Sequence, residues 1–253
     1  MTGKIIVRIA EGLGNQLFMY ANSLALARKI NYDLYIDNES GYFQKKNIRF
    51  YQLDQFNINT PRCEEKYKFN NHFKNLKRKI LIKLDKFKEK KTFLIENKDK
   101  FKRTSYNELD YKDLSNLLYV EGHYESENYF SNVKDILKQK FTLKDCDIYQ
   151  KNNYYKLIKN NNDIISICIR QNRFSERISN KHNLDNIKKS DDFTKLTIDY
   201  IKRAVKYVDT QKKNAKYLIW SNDFSNLREY FPTDKFIFVD IKTNKSLSDF
   251  YLL

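Results

Sequence analysis

Residues 4–21, KIIVRIAEGLGNQLFMYA, constrain this chain more than any other stretch. The β-branched apolar run over residues 5–9 is short enough for a buried strand, and Gly12 and Gly14 follow as a turn that brings the backbone close to a neighbour. Leu13, Leu17, Tyr20, Ala21, Leu24 and Ala27 then recur at helical spacing on one face. Strand, tight turn and helix in that order build a parallel α/β sheet. The start of such a helix offers unpaired N–H groups and a positive dipole end to an anion such as phosphate, the dipole contributing only about 0.3–1 kcal/mol.

Three readings compete for the turn. The glycines could simply pack a strand against a helix. They could begin the dinucleotide fingerprint G-x-G-x-x-G, with Asp37 after the strand-like run 32–36 as the ribose ligand, but Leu17 holds the place of the third glycine and its bulk opposes the close helix–strand approach. The third reading is a family. The run from Gly12 to Ala21 resembles the G-G-L-G-N-Q-x-F-Q-Y-A opening of the α-1,2-fucosyltransferases of glycosyltransferase family 11, departing from it at Glu11 and Met19.

The chain has 253 residues, enough for two small domains, with the boundary expected in the polar, Asn- and Lys-rich segment 145–162: residues 1–150 form one domain and 151–253 the other. The net charge of +16 would suggest nucleic acid or an anionic membrane. Lysine is scattered along the whole chain without a helix-turn-helix, zinc-finger or RNP-type motif, so no nucleic-acid partner is expected. With five glycines and two prolines against an excess of Lys, Asn, Ile, Tyr and Phe, the composition tracks A/T-rich codons, which weakens any functional reading of charge. Cys63, Cys146 and Cys168 are odd in number and far apart, as in a reduced, cytoplasmic protein without a disulfide framework. No apolar run reaches the ~18–20 residues of a membrane span.

Residues 73–91 carry Phe73, Leu76, Ile80, Leu84 and Phe87 every three or four positions, flanked by Lys74, Lys77, Arg78, Lys79, Lys83, Lys86 and Lys88. That pattern predicts a basic amphipathic helix. We expect its apolar stripe to pack on the domain, the alternative being peripheral contact with the inner face of a membrane. After the apolar run 117–120, the segment 121–130 is similar to the family's G-Y-x-Q-S-x-K-Y-F signature at Gly122, Tyr124, Ser126, Tyr129 and Phe130. His123 falls outside the family's catalytic pattern and is expected to pack or to hydrogen-bond, while His182 reads as a surface residue.

The second half restarts with the strand 164–169, ending at Arg170 where open α/β sheets place their ligands. Against the family's H-x-R-R-x-D element, Cys168 stands on the His, Gln171 on the second Arg and Arg173 on the Asp; Arg170 alone is unchanged. A polar linker over 175–192, a helix over 193–208 with Phe193, Leu196, Tyr200, Ala204 and Tyr207 on its packed face, and a strand 216–220 follow. Ser221 and Asp223 then match the family's S-[ND]-D, where ligand contact and helix capping are equal readings. After a last strand over 236–240 the residues 246–253 begin a helix, and the family's next strand, its S-x-F-S-W-W element and its closing helix are expected to be missing.

The resemblance implies a GT-B-like α/β fold: two Rossmann-like domains with parallel sheets facing a cleft, the N-terminal one on the acceptor side and the C-terminal one, incomplete, binding nucleotide sugar. It implies metal-free, inverting transfer of L-fucose from GDP-β-L-fucose to a galactoside-type glycan. Arg170 and Asn15 are then the expected catalytic residues, and Gly12, Gly14, Asn15, Gln16, Arg170, Arg173, Ser221 and Asp223 the donor-binding ones. No cofactor is implied. A relative that binds without turnover, and a basic nucleic-acid or membrane-surface module, remain the alternatives.

Overall fold

The computed structural model describes residues 2–44, 49–96, 106, 112–176, 180–232 and 234–240. The chain divides into two compact units, Met1–Lys144 and Asp145–Leu253. The division precedes residue 150 because the segment expected as linker forms two short helices that belong to the second unit.

The first unit runs β1 (Lys4–Arg8), α1 (Leu13–Ile30), β2 (Asp33–Asp37), α2 (His72–Asp85), β3 (Lys91–Ile95), β4 (Leu114–Glu121) and α3 (Lys134–Lys140). Its strands are all parallel, in the order β2-β1-β4-β3. Ile5, Ile6 and Val7 are all buried, so β1 reads as a continuous apolar run because both faces of the sheet are covered. The same enclosure governs α1. Periodicity predicts one packed face, but Asn22, Ser23 and Gln16 are buried together with Leu13, Met19, Tyr20 and Leu26, and Leu17 and Leu24 are only half-buried. Asn31, left-handed at φ 54°, ends the helix and turns the chain into β2.

The expected packing of α2 is overturned. Phe73, Leu76, Ile80, Leu84 and Phe87 are all exposed. The helix is attached by its other face, through Asn75, Arg78 and Asp85. Arg78 makes a bidentate ion pair with Glu121 at the end of β4 and donates to Asn75 Oδ1 at 3.1 Å. The Asp85 carboxylate accepts from the backbone N–H groups of Thr92 and Phe93 at 3.0 Å. Polar anchors thus decide the orientation that the apolar period suggests the other way.

The second unit comprises α4 (Asp147–Gln150), α5 (Asn153–Lys159), β5 (Ile164–Ile169), α6 (Leu184–Gln211), β6 (Lys216–Ser221), α7 (Leu227–Tyr230) and β7 (Phe236–Phe238), with a parallel sheet in the order β5-β6-β7. The last strand is shorter than expected, and the predicted helix over 246–253 lies outside the described residues. Strand β6 shows why the sheet holds: Tyr217 and Ile219 pack with Ile198 and Ile201 of α6, while Leu218 and Trp220 pack on the opposite side with Tyr154, Tyr155 and Ile158 of α5. Trp220, the chain's one tryptophan, is buried, and its indole N–H has no hydrogen-bond partner among the described residues. Helix α6 starts well before residue 193 because Asn183 caps it, accepting from Asn186 N at 3.0 Å. Its packed face is turned from the predicted one: Leu196, Tyr200 and Tyr207 are exposed, Phe193 and Ala204 are half-buried, and Ile198, Ile201, Val205 and Val208 make the core contact.

Candidate functional site

In the first unit the strand order reverses beside β1, with β2 on one side and β4 on the other. Ligands of open α/β sheets bind at the carboxyl ends of strands flanking such a switch point. Arg8 closes β1 there and Glu121 closes β4, their charged groups 3.9 Å apart. Arg8 also donates to Ser40 O at 3.0 Å, and burial pulls its guanidinium pKa down. Arg8, Glu121 and Arg78 form a charge cluster drawn from β1, β4 and α2, with Glu121 buried and the two arginines largely so. No local sequence signal links these three segments.

The β1–α1 turn follows. Its left-handed residue is Glu11, at φ 64°, in the place where family 11 has its first glycine. Gly12 is extended and precedes α1 as its N-cap, and its use is closeness: a Cβ there would lie 3.3 Å from Arg49 Nη1. Gly14 is exposed in the first helical turn, and a Cβ on it would meet nothing within 4 Å. No side chain caps α1 and no acidic residue lies in its first turn, so those N–H groups are available to an anion. Asn15 is half-buried, and its amide makes no hydrogen bond among the described residues.

Gln16 is different. At 0 % exposure it donates to Glu11 O at 3.0 Å and Phe50 O at 2.9 Å, and accepts from Gln52 N at 2.9 Å. Both amide hydrogens are spent on backbone, so the side chain fixes the loop around Phe50 to the turn.

That loop lines a pocket of about 210 Å³ with Asn38, Glu39, Tyr42, Phe43, Arg49, Phe50, Tyr51 and Asn70. The Tyr42 hydroxyl and Asn38 Oδ1 are buried without partners among the described residues, and the Arg49 guanidinium forms no ion pair among them. Glu39 is engaged by Lys68 at 2.5 Å and Asn70 at 2.8 Å, which lowers its pKa and makes it a weak base. Asp37 is spent as well: it accepts from Glu39 N and Ser40 N, folding the turn after β2. Aromatic side chains beside unpaired polar groups suit a sugar face and its hydroxyls. The residues after β2 read as loop in the sequence, and Arg49 to Leu53 fit no element, so the pocket too was not legible.

The second signature, 121–130, is structural. A Cβ on Gly122 would fall 2.4 Å from Glu96 Cβ, and this approach lets the Glu96 carboxylate accept from His123 N at 2.7 Å and Tyr124 N at 3.0 Å. Tyr124, left-handed and fully buried, sits edge-on to Tyr129.

At the carboxyl edge of the second unit's sheet the turns after β5 and β6 are laced together. Gln171 N donates to Asn222 Oδ1 at 2.8 Å, Asn222 Nδ2 donates back to Gln171 O at 2.9 Å, and Gln171 Nε2 reaches Asp223 O at 2.7 Å. Asp223 accepts from Asn172 Nδ2 at 3.1 Å and from Ser225 N at 2.9 Å. It folds its own turn, the N-cap of α7 being Asn226. Ser221 is buried, with its Oγ 3.2 Å from Asp223 N, which donates to it.

Arg170 extends from β5 half-exposed and binds Glu176 through Nε at 3.2 Å and through Nη2. Nη1 is left for another acceptor. Glu176 therefore supplies the acidic partner that Arg173, at the family's Asp position, cannot be. Arg173 lies over the rings of Phe193, 4.8 Å from its centroid, and Phe174, at 5.9 Å. The structure thus brings Arg170, Ser221 and Asp223 to one sheet edge of the second unit, and Gly12, Gly14, Asn15 and Gln16 to one turn of the first.

No protein-family model and no curated protein matches the sequence. Solved structures do match. The crystal structure of the fucosyltransferase NodZ from Bradyrhizobium aligns with a TM-score of 0.55 and 10% identity over 100% of this chain and 81% of that one. NodZ α-1,6-fucosyltransferase soaked with GDP-fucose aligns at 0.52 with 9% identity, covering 100% and 82%, and the form co-crystallised with GDP at 0.51 with 9% identity and the same coverage. The protein has a GT-B-like fold of two parallel α/β units, similar to that of NodZ-type fucosyltransferases.

Proposed function

We propose that the protein transfers L-fucose from GDP-β-L-fucose to a glycan hydroxyl without a metal. One observation carries this: on a fold similar to NodZ, the sequence run that resembles family 11 forms the uncapped start of α1. In this reading the second unit holds the GDP, Arg170 meeting the diphosphate through its free Nη1 while Glu176 fixes its plane. Negative charge growing on the departing diphosphate is neutralised by that guanidinium. Within the first unit, Asn15 offers its amide to a sugar hydroxyl, and Gln16 holds the turn and the aromatic loop in register. The first unit takes the acceptor in the pocket between Tyr42 and Tyr51. The resemblance to family 11 supports a galactoside acceptor, α-1,2 linkage and inversion.

Calorimetry against GDP and UDP, followed by transfer from GDP-fucose to a panel of galactosides with the product linkage read by NMR, tests the proposal. GDP should bind and UDP should not. Equal affinity for the two would overturn the donor assignment, and an α-1,6 product would overturn the linkage alone. Cys168 and Arg173, which replace the family's His and Asp, support a second reading of GDP binding without turnover; binding with no fucosylated product would decide for it.

A further inference from the structure

Helix α2 is inside out. Its polar residues Asn75, Arg78 and Asp85 face the domain, whereas Phe73 is 79% and Phe87, just after the helix, 87% exposed, with Leu76, Ile80 and Leu84 between them. At helical spacing these side chains line one stripe, opposite the anchored face. The stripe is not needed for attachment, because the Arg78–Glu121 pair and the Asp85 bonds to Thr92 and Phe93 already hold the helix. Along it stand Lys77 on one side and Lys79 and Lys83 on the other, with Lys86 and Lys90 in the turn beyond; none of the five ammonium groups makes a hydrogen bond or ion pair among the described residues. The acidic residue on the helix, Asp85, is turned inward and buried.

We propose that α2 and the turn after it dock the protein on an anionic lipid bilayer, the phenylalanines and leucines entering the acyl boundary and the lysines meeting lipid phosphates. No helix among the described residues is long and apolar enough to cross a membrane, so the contact is interfacial. Charge selects this occupant. A second copy of the same surface would set lysines against lysines, and a nucleic acid would use the lysines while leaving the apolar stripe in water. A bilayer with acidic headgroups satisfies both layers of the patch at once. The inference does not depend on the fucosyl-transfer reading.

The test is co-sedimentation of the full chain with phosphatidylcholine vesicles made with and without phosphatidylglycerol. Binding should require phosphatidylglycerol and weaken with salt. Phe73→Ser and Phe87→Ser should each lower the partition coefficient on the order of tenfold, and Lys79→Gln and Lys83→Gln about fivefold each at low salt. All four side chains being outside the core, the melting temperature should hold. Lack of binding at low salt, or binding indifferent to the phenylalanines, would overturn the proposal. So would duplex DNA displacing the vesicles without regard to the phenylalanines, or a dimer that the double phenylalanine variant dissolves.

Discussion

The two carboxyl edges are built from the same strand–turn–helix order and use their polar groups in opposite ways. In the first unit the polar side chains face inward: Gln16 is buried against backbone, and Arg8, Arg78 and Glu121 form an enclosed charge cluster. In the second they lie at the surface and bond mostly to one another, as Gln171, Asn222, Asp223 and Arg170–Glu176 do. A buried polar group fixes shape at the risk of a large penalty if its partner is lost. An exposed one can exchange its partner for a ligand at little cost. The first edge is therefore suited to hold a pocket's form, and the second to receive a charged group.

The largest effect should come from breaking the buried cluster. Glu121→Ala strands Arg78 and Arg8 and should destabilise the protein by about 3–5 kcal/mol, read by denaturant melts. The counterpart Glu176→Ala removes an exposed pair and should cost no more than about 1 kcal/mol. Equal losses would erase the contrast between the edges.

Next in size is Arg170→Ala, expected to slow fucose transfer by on the order of 10²–10³-fold while costing no more stability than Glu176→Ala, about 1 kcal/mol at most. Lysine should rescue poorly, since an ammonium cannot reproduce the guanidinium's planar fork to Glu176 and phosphate. Full activity of the alanine variant would move the role to another cation.

The smallest effect sharpens the first edge alone. Glu11→Gly relieves a left-handed backbone at φ 64° and should raise stability by about 1 kcal/mol. A lower melting temperature would show that the Glu11 side chain contributes more than its backbone strain costs.

What the sequence made legible was local. Residues 4–30 announce strand, turn and helix because a continuous apolar run, glycines and a helical period lie side by side, and the strands 164–169 and 216–221 declare themselves in the same way. Strand β3 was missed, since its five residues follow a lysine-rich stretch whose helical period dominates. The packed face of α2 lies opposite the one its period suggests and that of α6 is turned from it, for a shared reason. Periodicity identifies a stripe but not what lies opposite it, and in a chain so rich in Phe, Tyr, Ile and Lys both sides of a helix can look apolar. For α2 the decision came from Arg78 finding Glu121 across 43 positions of sequence. The site divides similarly: Arg170, Asn15 and the glycine turn are contiguous motifs and could be named, whereas the Arg8 cluster and the pocket around Arg49 are assembled from segments that only folding brings near.

Trp220 gives the molecule a built-in reporter. One indole, on the central strand of the second unit's sheet and shielded from water, means that fluorescence excited at the red edge of tryptophan absorption comes from that unit alone. The tyrosines and the backbone circular dichroism report on the whole chain. Followed together during denaturation, the two signals show whether the units melt as one or in succession. Because β6 leads into the turn carrying Asp223, the same emission gives a nucleotide titration a label-free optical signal close to the edge where we propose GDP binds.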